Sequence, residues 1–158
     1  MDEEYGLLTR IQTGLQGAGE TLAVAESCTG GLLARMLTEG AGSSGFFWGG
    51  VVSYSNESKH KILQVQADTL LRFGAVSAQT AEEMARGLAA LSGADYVLAI
   101  TGIAGPDSDF SEKPVGLVYI ALFHHEALII EEYRFAGNRS DIRQQSAKAA
   151  LDILVKFF

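Results

Sequence analysis

A serine, two glycines and a carboxylate stand together in Glu26-Ser27-Cys28-Thr29-Gly30-Gly31, the stretch whose residue types best suit covalent chemistry. A hydroxyl such as that of Ser27 attacks a carbonyl carbon when a base takes its proton and nearby donors hold the oxyanion. The amides of Thr29, Gly30 or Gly31 are candidates for those donors, and the glycines would let a substrate approach the backbone closely. The plainer alternative is that Ser27 or Thr29 caps a helix, a position where both residue types are preferred. Cys28, in the same turn, is a second candidate nucleophile whose thiolate a helix dipole would favour. Against it, no histidine lies in an obvious partner segment, and lone cysteines commonly pack as small apolar groups.

A serine nucleophile needs a base, and Tyr54 and Lys59 flank the end of the next strand-like segment. A lysine partly desolvated there is neutral often enough to accept a proton. The alternative is that Lys59 and Lys61 are solvated lysines at the start of a helix, as most lysines are. Short-chain dehydrogenases place Tyr and Lys four residues apart rather than five, and no G-x-G-x-x-G precedes the pair, which disfavours a nicotinamide-dependent oxidoreductase. The pattern G-x-x-x-x-G-K-[ST] is also missing, which excludes nucleoside-triphosphate hydrolysis of that type. Arg139 and Arg143 share a face at the start of the last predicted helix and would suit a phosphate or carboxylate, unless they are ordinary surface arginines.

These groups must be positioned by regular elements, and the hydrophobic pattern supplies them. Leu7, Leu8, Ile11 and Leu15 predict an opening amphipathic helix that Gly17 and Gly19 end. A short buried strand over 21–25 runs into the serine turn and a helix over 32–37. After an aromatic patch, Phe46-Phe47-Trp48, strand propensity returns over 49–54, and Asn56 is a candidate cap for a short helix reaching Leu63. Helices follow over 68–73 and 77–91, with Ser77 as N-cap and Gly93 as terminator. A strand over 96–100 leads into a second polar loop, Thr101-Gly102-Ile103-Ala104-Gly105-Pro106-Asp107. Apolar runs over 115–123 and 127–135 predict an antiparallel hairpin, and a helix over 140–157 carries Ile142, Ala149, Ile153 and Phe157 along one face. Alternating strands and helices followed by a hairpin predict an α/β protein, a three-layer α/β/α sandwich over a mixed sheet. In open sheets of this kind ligands gather at the C-terminal strand ends, where both polar loops lie.

Composition narrows the classes further. With 158 residues, 47% of them apolar, the chain has enough material for one hydrophobic core without disulfides or a structural metal, and a single domain over 1–158 is expected. A net charge of −7 makes duplex nucleic acid an improbable partner, although a small anion met by a local basic pocket stays compatible with it. No apolar run approaches the length of a membrane span. The acidic start Met1-Asp2-Glu3-Glu4 does not resemble a signal peptide, so a cytoplasmic location is expected. One cysteine, and histidines His60, His124 and His125 without supporting ligand spacing, offer no metal-binding pattern. Phe46-Phe47-Trp48 and Phe157-Phe158 are candidate surfaces for a homo-oligomer, with core packing the preferred reading for most of them.

Five segments taken in order, Ala25-Glu26-Ser27-Cys28-Thr29-Gly30-Gly31, Tyr54-Ser55-Asn56-Glu57, Gly74-Ala75-Val76-Ser77, Gly102-Ile103-Ala104-Gly105-Pro106-Asp107 and Lys113-Pro114-Val115-Gly116, closely resemble the CinA C-terminal domain family, the nicotinamide-nucleotide amidases. The resemblance spans the chain from about Leu7 to the last helix. It implies hydrolysis of the carboxamide of nicotinamide mononucleotide to nicotinate mononucleotide and ammonia, in pyridine-nucleotide salvage, without a metal or organic cofactor. Carried over by motif, Ser27 resembles the nucleophile, and Tyr54 and Lys59 resemble the groups that activate it. The turn of Thr29, Gly30 and Gly31 and the loop of Thr101, Gly102, Ala104 and Gly105 would line the pocket, and Arg139 or Arg143 would hold the phosphate. The chain departs from the family pattern after Gly-Pro-Asp, where glycine is usual and Ser108-Asp109-Phe110-Ser111 stands instead, which bears on loop shape and substrate choice. Larger relatives carry an additional N-terminal domain resembling molybdopterin-binding proteins, and these residues do not include one. The competing readings are a nucleotide-sensing module without turnover and an amidase for another small amide.

Overall fold

The computed structural model describes residues 2–158, so Met1 of the acidic start lies outside the described residues. In chain order the elements are α1 (Asp2–Ala18), β1 (Leu22–Glu26), α2 (Leu32–Thr38), a 3-10 turn (Ser43–Gly45), β2 (Phe47–Val52), α3 (Asn56–Leu63), α4 (Ala67–Phe73), α5 (Ala78–Ser92), β3 (Tyr96–Gly102), β4 (Leu117–His124), β5 (Ala127–Arg134) and α6 (Arg139–Val155). The five strands form one sheet in the order β2-β1-β3-β4-β5. β1 runs parallel to β2 and β3, and β4 runs antiparallel to both β3 and β5. The sheet is therefore mixed, as expected.

Alternation along the central strands sorts their side chains between two cores. Leu22, Val24, Leu98 and Ile100 point to one face, where they pack with Ile11 and Leu15 of α1, Leu33 and Leu37 of α2 and the buried side of α6. Ala23, Ala25, Val97 and Ala99 point to the other, where they meet Leu63 of α3 and Ala81, Met84, Ala85 and Leu88 of α5. Small residues on this second face let α5 lie close over the sheet. α5 and α3 approach closely too, because a Cβ on Gly87 would stand 1.7 Å from the Leu63 carbonyl oxygen.

Helix ends follow local chemistry with small corrections to expectation. Ser77 accepts from the Thr80 amide and Gly93 closes α5 in the left-handed region, as the pattern predicted. The cap of α3 is Ser55 rather than Asn56, which is already the first helical residue; Ser55 accepts from the Ser58 amide. Asn138 caps α6, which stops at Val155, so Phe157 lies beyond the predicted face and is 40% exposed. Phe46, which ends the 3-10 turn ahead of β2, is buried, while within β2 alternation leaves Phe47 half-buried and Trp48 49% exposed. Among the described residues no helix is long and apolar enough to cross a membrane.

Candidate active site

β1 ends at Glu26, and its next residue, Ser27, stands at the C-terminal end of the parallel part of the sheet. The Ser27 amide donates to the Ile100 carbonyl of neighbouring β3 at 3.1 Å, which anchors the turn to the sheet. Gly30 and Gly31 then adopt left-handed backbone (φ 59° and 102°), reversing the chain into α2 where an L side chain would be strained.

Glu26 holds this turn from inside. Its buried carboxylate accepts from the amides of Gly31 (3.2 Å), Leu33 (2.9 Å) and Ala34 (3.0 Å), so the N-terminal donors of α2 are occupied by the protein itself. The Gly30 amide in turn donates to the Ser27 carbonyl. The expectation that Gly30 and Gly31 would present free amides to an oxyanion is thus corrected, and Thr29, Gly30 and Gly31 do not line the cleft that reaches Ser27.

Arg143 braces the same turn from α6. Its Nε donates to the Cys28 carbonyl at 3.1 Å and its Nη2 to the Thr29 carbonyl at 2.9 Å. These two donors face the backbone and Arg143 does not line the cleft, so the structure turns it toward the serine turn rather than toward the open anion position that its helix placement suggested.

Lys59 is the largest buried polar side chain, 1% exposed on α3. Its Nζ donates to Ser27 Oγ at 2.8 Å, to the Ser53 carbonyl at 2.7 Å and to the Tyr54 carbonyl at 3.2 Å. The solvated-lysine alternative therefore fails. Burial lowers its pKa from 10.5 to about 8, and among the described residues no carboxylate counters the desolvation. The Cys28 thiol is pushed up to about 11, chiefly by burial and against the pull of Lys59, which makes its thiolate scarce near neutrality.

Above this pair lies an open cleft of about 210 Å³, lined by Ser27, Cys28, Tyr54, Lys59, the 75–76 and 101–105 segments, Asp107, Ser108, Asp109 and Arg139. Tyr54 contributes differently from expectation: its backbone carbonyl touches Lys59, whereas its hydroxyl accepts from Arg139 Nη2 at 2.9 Å at the exposed mouth. Arg139 also donates to the Gly105 carbonyl at 2.7 Å, so the two loops meet under one exposed guanidinium. Thr101 and Gly102 belong to β3 rather than to a loop; Thr101 Oγ1 donates to the Ala75 carbonyl, tying the far wall together. A Cβ on Gly102 would stand 2.6 Å from Val118 Cγ2 and 3.1 Å from Cys28 Sγ, so only glycine fits beside the serine turn. Ala75, Val76, Ile103 and Asp107 also line the cleft without having been singled out as site residues, while Ser108 and Asp109 were marked only through the altered loop. Their signals were the Gly74-Ala75-Val76-Ser77 and Gly102-Ile103-Ala104-Gly105-Pro106-Asp107 motifs and the unusual 108–111 segment.

On this α/β/α fold, a strand-end serine and a buried lysine thus meet at 2.8 Å on the floor of an open cleft, the pair of residue types that serine–lysine nucleophilic chemistry uses. The chain belongs to the CinA C-terminal domain family, whose profile matches residues 4–158. It is 53% identical over 148 residues to a CinA-like protein of Syntrophomonas wolfei, covering 94% of this chain and 36% of that one. It is also 50% identical over 137 residues to a putative competence-damage inducible protein of Acetivibrio thermocellus, covering 87% and 33%. It spans about a third of the length of these curated relatives. Among solved structures, a CinA superfamily protein from Klebsiella pneumoniae superposes with a TM-score of 0.94 at 37% identity, covering 97% and 96% of the two chains. The competence/damage inducible protein CihA from Agrobacterium tumefaciens gives 0.93 at 42% identity, covering 97% and 94%.

Proposed function

We propose that this chain is an amidohydrolase that releases ammonia from nicotinamide mononucleotide through Ser27, with Lys59 as its proton carrier. The observation that carries this is the 2.8 Å contact between Lys59 Nζ and Ser27 Oγ at the floor of a cleft, with no carboxylate among the described residues holding the ammonium. When Lys59 is neutral, its two N–H groups satisfy the Ser53 and Tyr54 carbonyls and its lone pair faces the serine hydroxyl.

The Ser27 proton passes to Lys59 as Oγ bonds to the amide carbon. The resulting ammonium protonates the leaving nitrogen as the C–N bond breaks, giving ammonia and an acyl-serine. Water then loses a proton to Lys59 and attacks the ester, and the returning proton restores Ser27. With the α2 amides taken by Glu26, the oxyanion donors are sought among the cleft-lining residues Cys28, Ala104 and Gly105, whose amides, among the described residues, have no acceptor in the fold. Arg139 at the mouth supplies the charge for the substrate phosphate, a local cation on an acidic protein.

The test is ammonia release from nicotinamide mononucleotide by the purified chain and by Ser27→Ala. Turnover in the first and none in the second is expected. Wild-type turnover by Ser27→Ala removes the serine from this role, and binding without turnover in both makes the chain a nucleotide sensor. Faster turnover of another amide would replace the substrate while leaving the chemistry intact.

A further inference from the structure

At the opposite end of the sheet the fold assembles a group of ligand atoms that linear spacing conceals. Glu20 precedes β1, His124 closes β4 and His125 opens the two-residue connection to β5, because His124 pairs directly with Ala127. His124 Nε2 lies 3.1 Å from Glu20 Oε2, across 104 residues of sequence. Consecutive residues of a strand point to opposite faces, yet the rings of His124 and His125 stand 4.1 Å apart. The cause is His125 itself, which adopts φ 55° at a turn position that favours glycine. The strained backbone swings the second imidazole back over the first.

One nitrogen from each histidine and one carboxylate oxygen lie within 4.8 Å of one another. A metal ion bonded at roughly 2.0–2.1 Å to each would draw such donors to about 3.3 Å, close to the Glu20–His124 separation already present. The exposed His125 ring has room to close the remainder. An ordered wall stands behind: the Tyr96 ring stacks on His124 at 3.8 Å and 4°, and Phe157 meets both edge-on. That wall fixes the His124 ring plane, the orienting function that outer groups perform around bound metals.

We propose that Glu20, His124 and His125 bind one divalent transition-metal ion, which clamps the start of β1 to the β4–β5 turn. Two imidazoles and a single carboxylate select Zn2+, Co2+, Ni2+ or Cu2+ over Mg2+ or Ca2+, which require more oxygen ligands. The strand length of β1 separates this group from Ser27 by about 13 Å or more, so the ion is structural and takes no part in amide hydrolysis.

The experiment titrates Co2+ and Zn2+ into the chelator-stripped full chain, following the visible d–d absorption of Co2+ and the melting temperature with Zn2+. One equivalent of Co2+ is expected to give a saturable spectrum, and excess Zn2+ to raise Tm by about 5 °C or more. Glu20→Gln should weaken metal binding at least about tenfold. His125→Gly should abolish it while raising the Tm of the metal-free protein, since glycine accepts the positive φ without strain. A purely structural histidine would not yield these opposite signs. No spectrum and no Tm shift in wild type, or binding undiminished in both variants, overturns the proposal. Metal binding is read without the amidase assay, so its failure and the failure of the proposed reaction remain distinguishable.

Discussion

Replacing Lys59 with methionine separates the energetic cost of this site from its chemistry. In the unfolded chain Lys59 titrates near 10.5, and in the folded protein burial brings it to about 8. Between those values the unfolded state binds more protons, so the wild-type protein gains stability as pH rises through that window. Below about pH 8 the full penalty for burying the ammonium applies, and the gap corresponds to about 3 kcal/mol. Lys59→Met has no such group. Its stability relative to wild type at pH 7 also reflects the lost hydrogen bonds to the Ser53 and Tyr54 carbonyls, but those are made by the neutral amine as well and contribute no comparable slope. The difference in unfolding free energy, wild type minus variant, should therefore climb by about 3 kcal/mol from pH 7 to about pH 10.5. Urea unfolding of both proteins at several pH values measures it, and groups away from Lys59 cancel in the difference. Ammonia release supplies the second readout: wild-type kcat/KM should fall about tenfold per pH unit below about pH 8 and level above it. The variant should lose at least about a hundredfold. A stability difference independent of pH, or a variant with full activity, would refute the neutral-lysine reasoning.

Other consequences are simpler to test. Cys28→Ala should keep activity within about threefold, since a thiol with a pKa near 11 supplies little thiolate; abolished turnover would make the sulfur the nucleophile. Arg143→Met removes two charged donors from the Cys28 and Thr29 carbonyls, so it should cost about 1–3 kcal/mol in denaturant unfolding and lower kcat with little change in KM. A rise in KM alone would instead place Arg143 on the substrate. Gly87→Ala should destabilise by about 3 kcal/mol or more, seen as a Tm drop of about 6 °C or more, because the new methyl meets the Leu63 backbone oxygen, which cannot rotate away.

The boundaries of α5 and the β4–β5 hairpin were readable because their information is local. A serine cap, a glycine stop and a two-residue turn act within a few residues, and the periods of 2 and 3.6 repeat over a dozen. Ser27 was readable for the same reason, since strand, turn and helix are contiguous around it. The roles of its neighbours were not. Arg143 has the composition and spacing of an anion ligand, but its partners lie 115 and 114 residues away, and only packing of α6 against α2 turns its guanidinium onto the backbone. Glu26 shows the same limit, because a carboxylate before a Gly-Gly turn does not reveal whether it faces the cleft or the helix amides.

What the residue pattern determined by itself was the layered α/β fold and the place of Ser27 at a strand end, both set by short-range periodicity and backbone preference. Tertiary structure alone decided that Lys59, 32 residues from Ser27, is buried against it. It also decided that the α2 amides belong to Glu26, and that Glu20 meets His124 and His125. Burial and through-space distance govern pKa, donor occupancy and ligand geometry, and both come into being only when distant segments pack.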